Sequence, residues 1–258
     1  MCTSRGRKVG IRARKRFGQH FLVDRDIVER IHATLAIQAD DKVVEIGPGR
    51  GALTAGLVEA SPEQLTLIEI DRDLGAQLAN RFPQANLLTH DVLTVSLEEF
   101  THRRIVGNLP YNISTPLLVR MFDAESIVDM HLMLQREVAL RLAAVPGEKA
   151  WGRLSVIVQY RYHVEALFPV VAESFHPVPK VESMFIRLRP NVNEFEAADT
   201  ELFKNIVKTA FSQRRKTLEN SLREFRIAWD SLDLDSRMRA DHISVRDYVN
   251  IANHVYQQ

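Results

Sequence analysis

Lys42-Val43-Val44-Glu45-Ile46-Gly47-Pro48-Gly49-Arg50-Gly51 is the stretch that decides the fold. Its apolar opening reads as a buried parallel strand. The glycines make a turn, and Leu53, Leu57 and Val58 continue it at helical spacing. Strand, glycine turn and helix together open a nucleotide-binding α/β sheet. Further strands are predicted at 64–69, 85–89, 104–107 and 127–134. Helices are predicted at 71–81, at 115–122 with Pro116 in the first turn, and at 137–144. Leu154 to Tyr162 fits helix or strand, and helix is favoured because the preceding unit needs one. Val181 to Leu188 alternates as a terminal strand. Upstream, Asp24 is a plausible N-cap for a helix carrying Ile27, Val28, Ile31 and Leu35. Downstream, Asn191 to Ala198 is polar and reads as a linker. Beyond it come short helices, with Leu202, Ile206, Ala210 and Phe211 on one face and Leu218 and Leu222 on another. The expected architecture is a doubly wound α/β sheet with a small all-α C-terminal domain, divided as a basic arm (1–16), a sheet domain (17–190) and a helical domain (191–258).

Charge is distributed unevenly. Residues 1–16 hold seven Lys and Arg and no acid, which leaves −6 on the remainder of a chain whose net charge is +1. A basic arm on a mildly acidic body suits a polyanionic partner gripped at one edge. A solvated tail or an organelle transit peptide would look the same. Cys2 is the only cysteine, which excludes an intrachain disulfide and a cysteine-based metal site and fits a reducing compartment. No apolar run approaches the ~18 residues of a membrane span, and the basic start runs into more arginine rather than a secretory signal.

The glycine turn matches two templates. Gly47-x-Gly49-x-x-Ala52, with Glu69 about the right distance beyond it, fits a relaxed dinucleotide fingerprint. Glu45-x-Gly47-x-Gly49-x-Gly51 fits the turn of S-adenosylmethionine enzymes. The acids favour the second. Glu45 would face a sulfonium cation but repel a pyrophosphate, Glu69 can accept from both ribose hydroxyls, and Asp91 can accept from the cofactor's adenine amine. Each acid alone reads as a solvated loop carboxylate; three at successive strand ends, where open α/β sheets bind ligands, point to a site. Asn108-Leu109-Pro110-Tyr111 ends the fourth strand. Pro110 keeps Leu109 out of the helical region, so that its carbonyl can point outward. Beside that carbonyl stand the Asn108 amide oxygen and the Tyr111 ring, a set that suits a planar base whose exocyclic amine must react. Asn-x-Pro by itself is an ordinary tight turn.

The whole set of motifs resembles the small-subunit ribosomal RNA adenine dimethyltransferase family (KsgA type). They are Arg14-Lys15-Arg16-Phe17-Gly18-Gln19-His20-Phe21-Leu22, Glu45-Ile46-Gly47-Pro48-Gly49, Glu69-x-Asp71, Asn108 to Ser114, Phe175-x-Pro177-x-Pro179-Lys180-Val181-x-Ser183, Phe211-x-Gln213-Arg214-Arg215-Lys216-Thr217 and Arg239-Ala240-Asp241. The resemblance implies a Rossmann-like methyltransferase sheet, S-adenosylmethionine as donor, and two neighbouring adenines of small-subunit RNA as targets. It implies that Gln19, His20, Leu22, Glu45, Gly47, Gly49, Glu69, Asp91 and Asn108 hold the cofactor. Asn108, Leu109, Tyr111 and Phe175 would serve the reacting base, with Tyr111 and Phe175 stacking on it. His20 stands where Asn or His is usual, and Ser183 matches the pattern without an assigned role. Arg14, Lys15, Arg16, Arg214, Arg215 and Lys216 are expected to grip RNA phosphates, the last three opening a helix. Residues 191–258 carry ten basic and eleven acidic side chains, so only the triplet is locally basic. A monomer without metal, acting on a pre-ribosomal particle in the cytoplasm, is expected. The rivals are the related large-subunit dimethyltransferases of the macrolide-resistance type, which usually carry Ile or Phe at the Leu109 position, and a non-catalytic RNA-binding assembly factor on the same fold.

Overall fold

The computed structural model describes residues 19–191 and 195–258. The basic arm, including Arg14, Lys15 and Arg16, lies outside them. The main sheet runs in the order β4 (Asn86–Leu88), β3 (Gln64–Ile68), β2 (Lys42–Ile46), β5 (Arg104–Asn108), β6 (Asp129–Gln135), β9 (Ser183–Pro190), β7 (Tyr162–Val170). The strands from β4 to β6 are parallel; β9 pairs antiparallel with both β6 and β7. The helices α1 (Arg25–Leu35), α2 (Thr54–Glu59), α3 (Arg72–Arg81), α4 (Tyr111–Arg120), α5 (Arg136–Ala143) and α6 (Arg153–Arg161) are interspersed with these strands along the chain. A separate two-residue pairing joins β1 (Phe21–Leu22) to β8 (Phe175–His176), antiparallel.

Side chains alternate across the sheet as a pleated strand requires. Val44 and Ile46 of β2 and Ile105 of β5 enter one apolar cluster, while Val43 and Val106 enter another. Arg104 anchors the start of β5. Its guanidinium donates to Asp41 at 2.8 Å, to Asp129 at 3.0 Å and to the Leu35 carbonyl at 2.9 Å, fixing the strand whose far end is Asn108.

The five expected parallel strands and the helix at 153–161 are present. Two elements depart from expectation. First, α4 begins at Tyr111, so Pro116 sits inside the helix rather than in its first turn. Pro110, with φ −55° and ψ 133°, is the cap that starts the helix early, and the missing amide of Pro116 leaves the Asn112 carbonyl without its usual partner. Second, β7 was not expected. It is an edge strand with a register shift between Ala166 and Phe168, and it contains Pro169, which an edge tolerates.

The C-terminal helices are α7 (Thr200–Ser212), α8 (Leu218–Ser221) and α9 (Val245–Tyr256). Asp199 caps α7 by accepting from the amides of Glu201 and Leu202. Phe203, Ile206 and Val207 of α7 share one apolar cluster with Val249 and Ile251 of α9 and with Trp151, Val156 and Tyr160 around α6. The rings of Tyr160 and Phe203 lie 4.6 Å apart.

Candidate active site

The carboxyl ends of β4, β3, β2 and β5 converge on a cavity of about 280 Å³. It is lined by Gln19, His20, Leu22, Glu45, Gly47, Gly49, Glu69, Asp91, Asn108, Leu109 and Tyr111, among others. All of the expected cofactor residues and three of the four expected base residues are therefore brought together.

The glycine turn needs its glycines. Gly47, Gly49 and Gly51 have φ of 67°, 57° and 78°, where side chains are disfavoured, and a Cβ on Gly49 would stand 3.0 Å from the Phe21 ring. The Gly49 amide donates to Glu69 Oε2 at 3.0 Å, and the Asp71 amide donates to Glu69 Oε1 at 3.0 Å. Glu69 thus fixes the turn, and each oxygen keeps lone-pair capacity for a ligand hydroxyl. Burial raises its pKa, and the two amides oppose the rise. Asp91 is turned by accepting from the Leu93 amide at 2.9 Å.

Glu45 is only 2% exposed. Its Oε2 accepts from the Thr54 hydroxyl at 2.6 Å. Burial pushes its carboxyl up to about 8, against the pull of Thr54, and Glu69 adds to the rise. For the chain by itself, burial thus favours the neutral form of Glu45. A cation placed in the cavity would favour its ionised form, so a sulfonium fits the site better than an anion does. Thr54, nine residues beyond Glu45, is a partner that no spacing rule announces.

At the end of β5, Asn108 Nδ2 donates to the His20 carbonyl at 2.9 Å, which leaves Oδ1 as the acceptor of this amide. The Leu109 amide is spent on the Met133 carbonyl. His20 Nδ1 bonds the Pro177 carbonyl at 2.6 Å; a carbonyl only accepts, so Nδ1 carries the hydrogen. The His20 ring stacks on Tyr111 with centroids 5.6 Å apart and planes 28° from parallel. The Tyr111 hydroxyl meets Ser183 Oγ at 2.9 Å. Burial raises the Tyr111 pKa and Ser183 opposes it, so the phenol stays protonated at neutral pH.

Two expectations need correction. Phe175 is not on the cavity wall. It is 2% exposed, pairs with Leu22 through the short β1–β8 ladder, and packs in the same apolar cluster as Phe185. With its ring surrounded by core side chains, it has no open face for a base. Arg214 is half-exposed but anchored within the protein. Its guanidinium donates to the Lys149 carbonyl at 3.1 Å and the Trp151 carbonyl at 2.8 Å, and stands 3.6 Å from Asp241. Arg215 and Lys216 are exposed. The triplet lies in the turn between α7 and α8 rather than opening a helix. Among the described residues, no three His, Cys, Asp or Glu side chains gather as metal ligands would, and no helix is long and apolar enough to cross a membrane.

The family described as "Ribosomal RNA adenine dimethylase" matches residues 10–257. The chain is 46% identical to "Ribosomal RNA small subunit methyltransferase A" of Saccharophagus degradans, with 95% of both chains covered. It is 48% identical to the protein of that name from Chromohalobacter salexigens, over 94% of this chain and 91% of the other. Among solved structures, a dimethyladenosine transferase from Plasmodium falciparum superposes with a TM-score of 0.75 at 22% identity, covering 90% of this chain and 96% of the other, a likeness of fold. The 23S rRNA methyltransferase ErmE superposes with a TM-score of 0.72 at 27% identity, covering 92% of this chain and all of the other. This chain belongs to the ribosomal RNA adenine dimethylase family.

Proposed function

We propose that this chain is an S-adenosylmethionine-dependent enzyme that dimethylates the exocyclic amines of two adjacent adenines in small-subunit ribosomal RNA. One observation carries the reading: the Asn108 amide, locked by the His20 carbonyl, faces the same cavity as Glu45, Glu69 and Asp91. A donor site and an amine-orienting acceptor thus share one space. The names of the curated relatives favour the small subunit over the large one.

S-adenosylmethionine supplies a methyl group on a positively charged sulfur, so the carbon to be transferred is already activated. Glu69 would hold the ribose hydroxyls and Asp91 the adenine amine of the donor, and Glu45 would favour its positive charge. The Asn108 Oδ1 and the Leu109 carbonyl accept from the target amine, turning its lone pair out of the ring plane. Such alignment can contribute ~7–11 kcal/mol to catalysis. As the carbon–nitrogen bond forms, the carbon–sulfur bond would break to leave a neutral thioether, and the amine's proton would pass to solvent water. A paired base cannot enter, so the adenine leaves its stack and rests on the Tyr111 ring, which returns ~1–3 kcal/mol. Arg215 and Lys216, with the basic residues 1–16, grip phosphates at a distance, while residues 191–258 form a helical domain beside the sheet domain. On this reading the chain works as a monomer on a pre-ribosomal particle in the cytoplasm.

The test is incubation with labelled S-adenosylmethionine and unmodified small-subunit particles, followed by mapping of the modified nucleotides. Two neighbouring dimethyladenines are expected. Label confined to large-subunit RNA, or none in either subunit, would overturn the proposal.

A further inference from the structure

We propose that Ser183 is a positioning residue for methyl transfer: its hydroxyl fixes the plane of the Tyr111 ring on which the target base rests. The inference stands on the function proposed above. Ser183 is fully buried, at 0% exposure, and begins β9. Its backbone is held on both sides, opposite Gln135 of β6 and Val170 of β7, so its hydroxyl has a fixed origin. That hydroxyl lies 2.9 Å from the Tyr111 oxygen. A buried hydroxyl demands a partner, and here the partner belongs to a side chain of the cavity wall.

Tyr111 needs such a tether. It is the first residue of α4, whose cap Pro110 offers no side-chain hydrogen bond, so the helix start does not by itself set the ring. His20 braces one face of the ring, and Ser183 holds its far end. With both in place the ring has one orientation. Without the Ser183 bond the ring can swing about its two side-chain torsions, and the stacked base swings with it. Small misplacements of a reacting group carry large rate penalties. Ser183 itself is not among the cavity-lining residues, so it acts through Tyr111.

The experiment is a double-mutant cycle on single-turnover methylation of small-subunit particles, using Ser183→Ala, Tyr111→Phe and the double variant, with donor affinity and thermal midpoint measured alongside. Each single variant should lose about tenfold in kcat, the worth of one hydrogen bond. The double variant should lose no more than either, and the KM for S-adenosylmethionine should stay at the wild-type value. Additive losses, or wild-type kcat in Tyr111→Phe, would overturn the inference. Tyr111→Phe sits on the cavity wall and keeps the ring, so it remains informative should Ser183→Ala fold poorly. Tyr111→Ala separates the two claims. Full activity there would sink the stacking role itself, whereas a loss there with wild-type behaviour in both conservative variants would sink only the tether.

Discussion

The parallel strands β4, β3, β2 and β5 and the antiparallel strands β9 and β7 belong to one sheet but serve the site differently. The parallel set delivers acids and the glycine turn directly to the cavity, because parallel strands all end on the same edge. Of the last two strands only β9 runs the other way, since β7 is antiparallel to β9 in turn, and Ser183 of β9 reaches the site only through Tyr111. Beyond both, the C-terminal helices pack on α6 and add no residue to the cavity lining. On the proposed function, the parallel set supplies both the donor contacts and the Asn108 acceptor, β9 supports Tyr111 from behind, and the C-terminal helices are left to the RNA.

Removing the packing between α7 and α6 should give the largest effect. Phe203→Ala is expected to cost about 3–5 kcal/mol, because a fully buried ring leaves a cavity beside Tyr160. Denaturant unfolding measures it. Donor affinity in the still-folded fraction should not change; a parallel fall in affinity would break the separation of the regions.

Glu45 should make the chain less stable as pH rises. Its folded pKa, about 8, lies above the ordinary value of 4.5. Between those values the folded state holds a proton that the unfolded state has released, so the Glu45 contribution is full below pH 4.5 and is lost as pH rises through 8. The decline is on the order of a few kcal/mol, and Glu45→Gln should flatten it. Thermal midpoints of both proteins from pH 5 to 9, without donor, decide the matter. Parallel curves would mean that Glu45 is ionised throughout.

A smaller effect is expected in the turn after α7. Neutralising Arg215 and Lys216 should reduce the slope of log affinity for RNA against log salt by about 0.7 to 0.9 per lost contact. Neutralising Arg214 should instead lower stability, because its guanidinium holds the Lys149 and Trp151 carbonyls. Unchanged slopes would leave the exposed pair as a solvated turn.

The same contrast explains what could be read from the amino acids alone. Lys42 to Gly51 was legible because a buried strand and a glycine turn are both local signals. Glu69 and Asp91 followed from their positions at strand ends. β7 was not legible: its register shift and Pro169 break the two-residue period that marks a strand. Phe175 was assigned to the base because a motif cannot say which way a ring points across a two-residue ladder. Thr54 was missed because nine residues across a glycine turn match no helix or strand period, and Ser183 because its bond to Tyr111 spans 72 residues of chain. The triplet from Arg214 to Lys216 showed its charge, but not that it lies in a turn or that its first member also anchors the Lys149 and Trp151 carbonyls.

The central claim is that donor and acceptor are held by separable parts of one cavity. The direct measurement is titration calorimetry with S-adenosylmethionine alongside single-turnover methylation, for Glu69→Ala and Asn108→Ala. Glu69→Ala should weaken donor binding by about 1–3 kcal/mol, losing a charged acceptor as well as the anchors of the Gly49 and Asp71 amides. Saturating donor should then restore much of its turnover. Asn108→Ala should bind donor nearly as the wild type does and lose about 10²–10³-fold in turnover that no donor concentration restores. Equal losses of affinity and turnover in both variants would contradict the account.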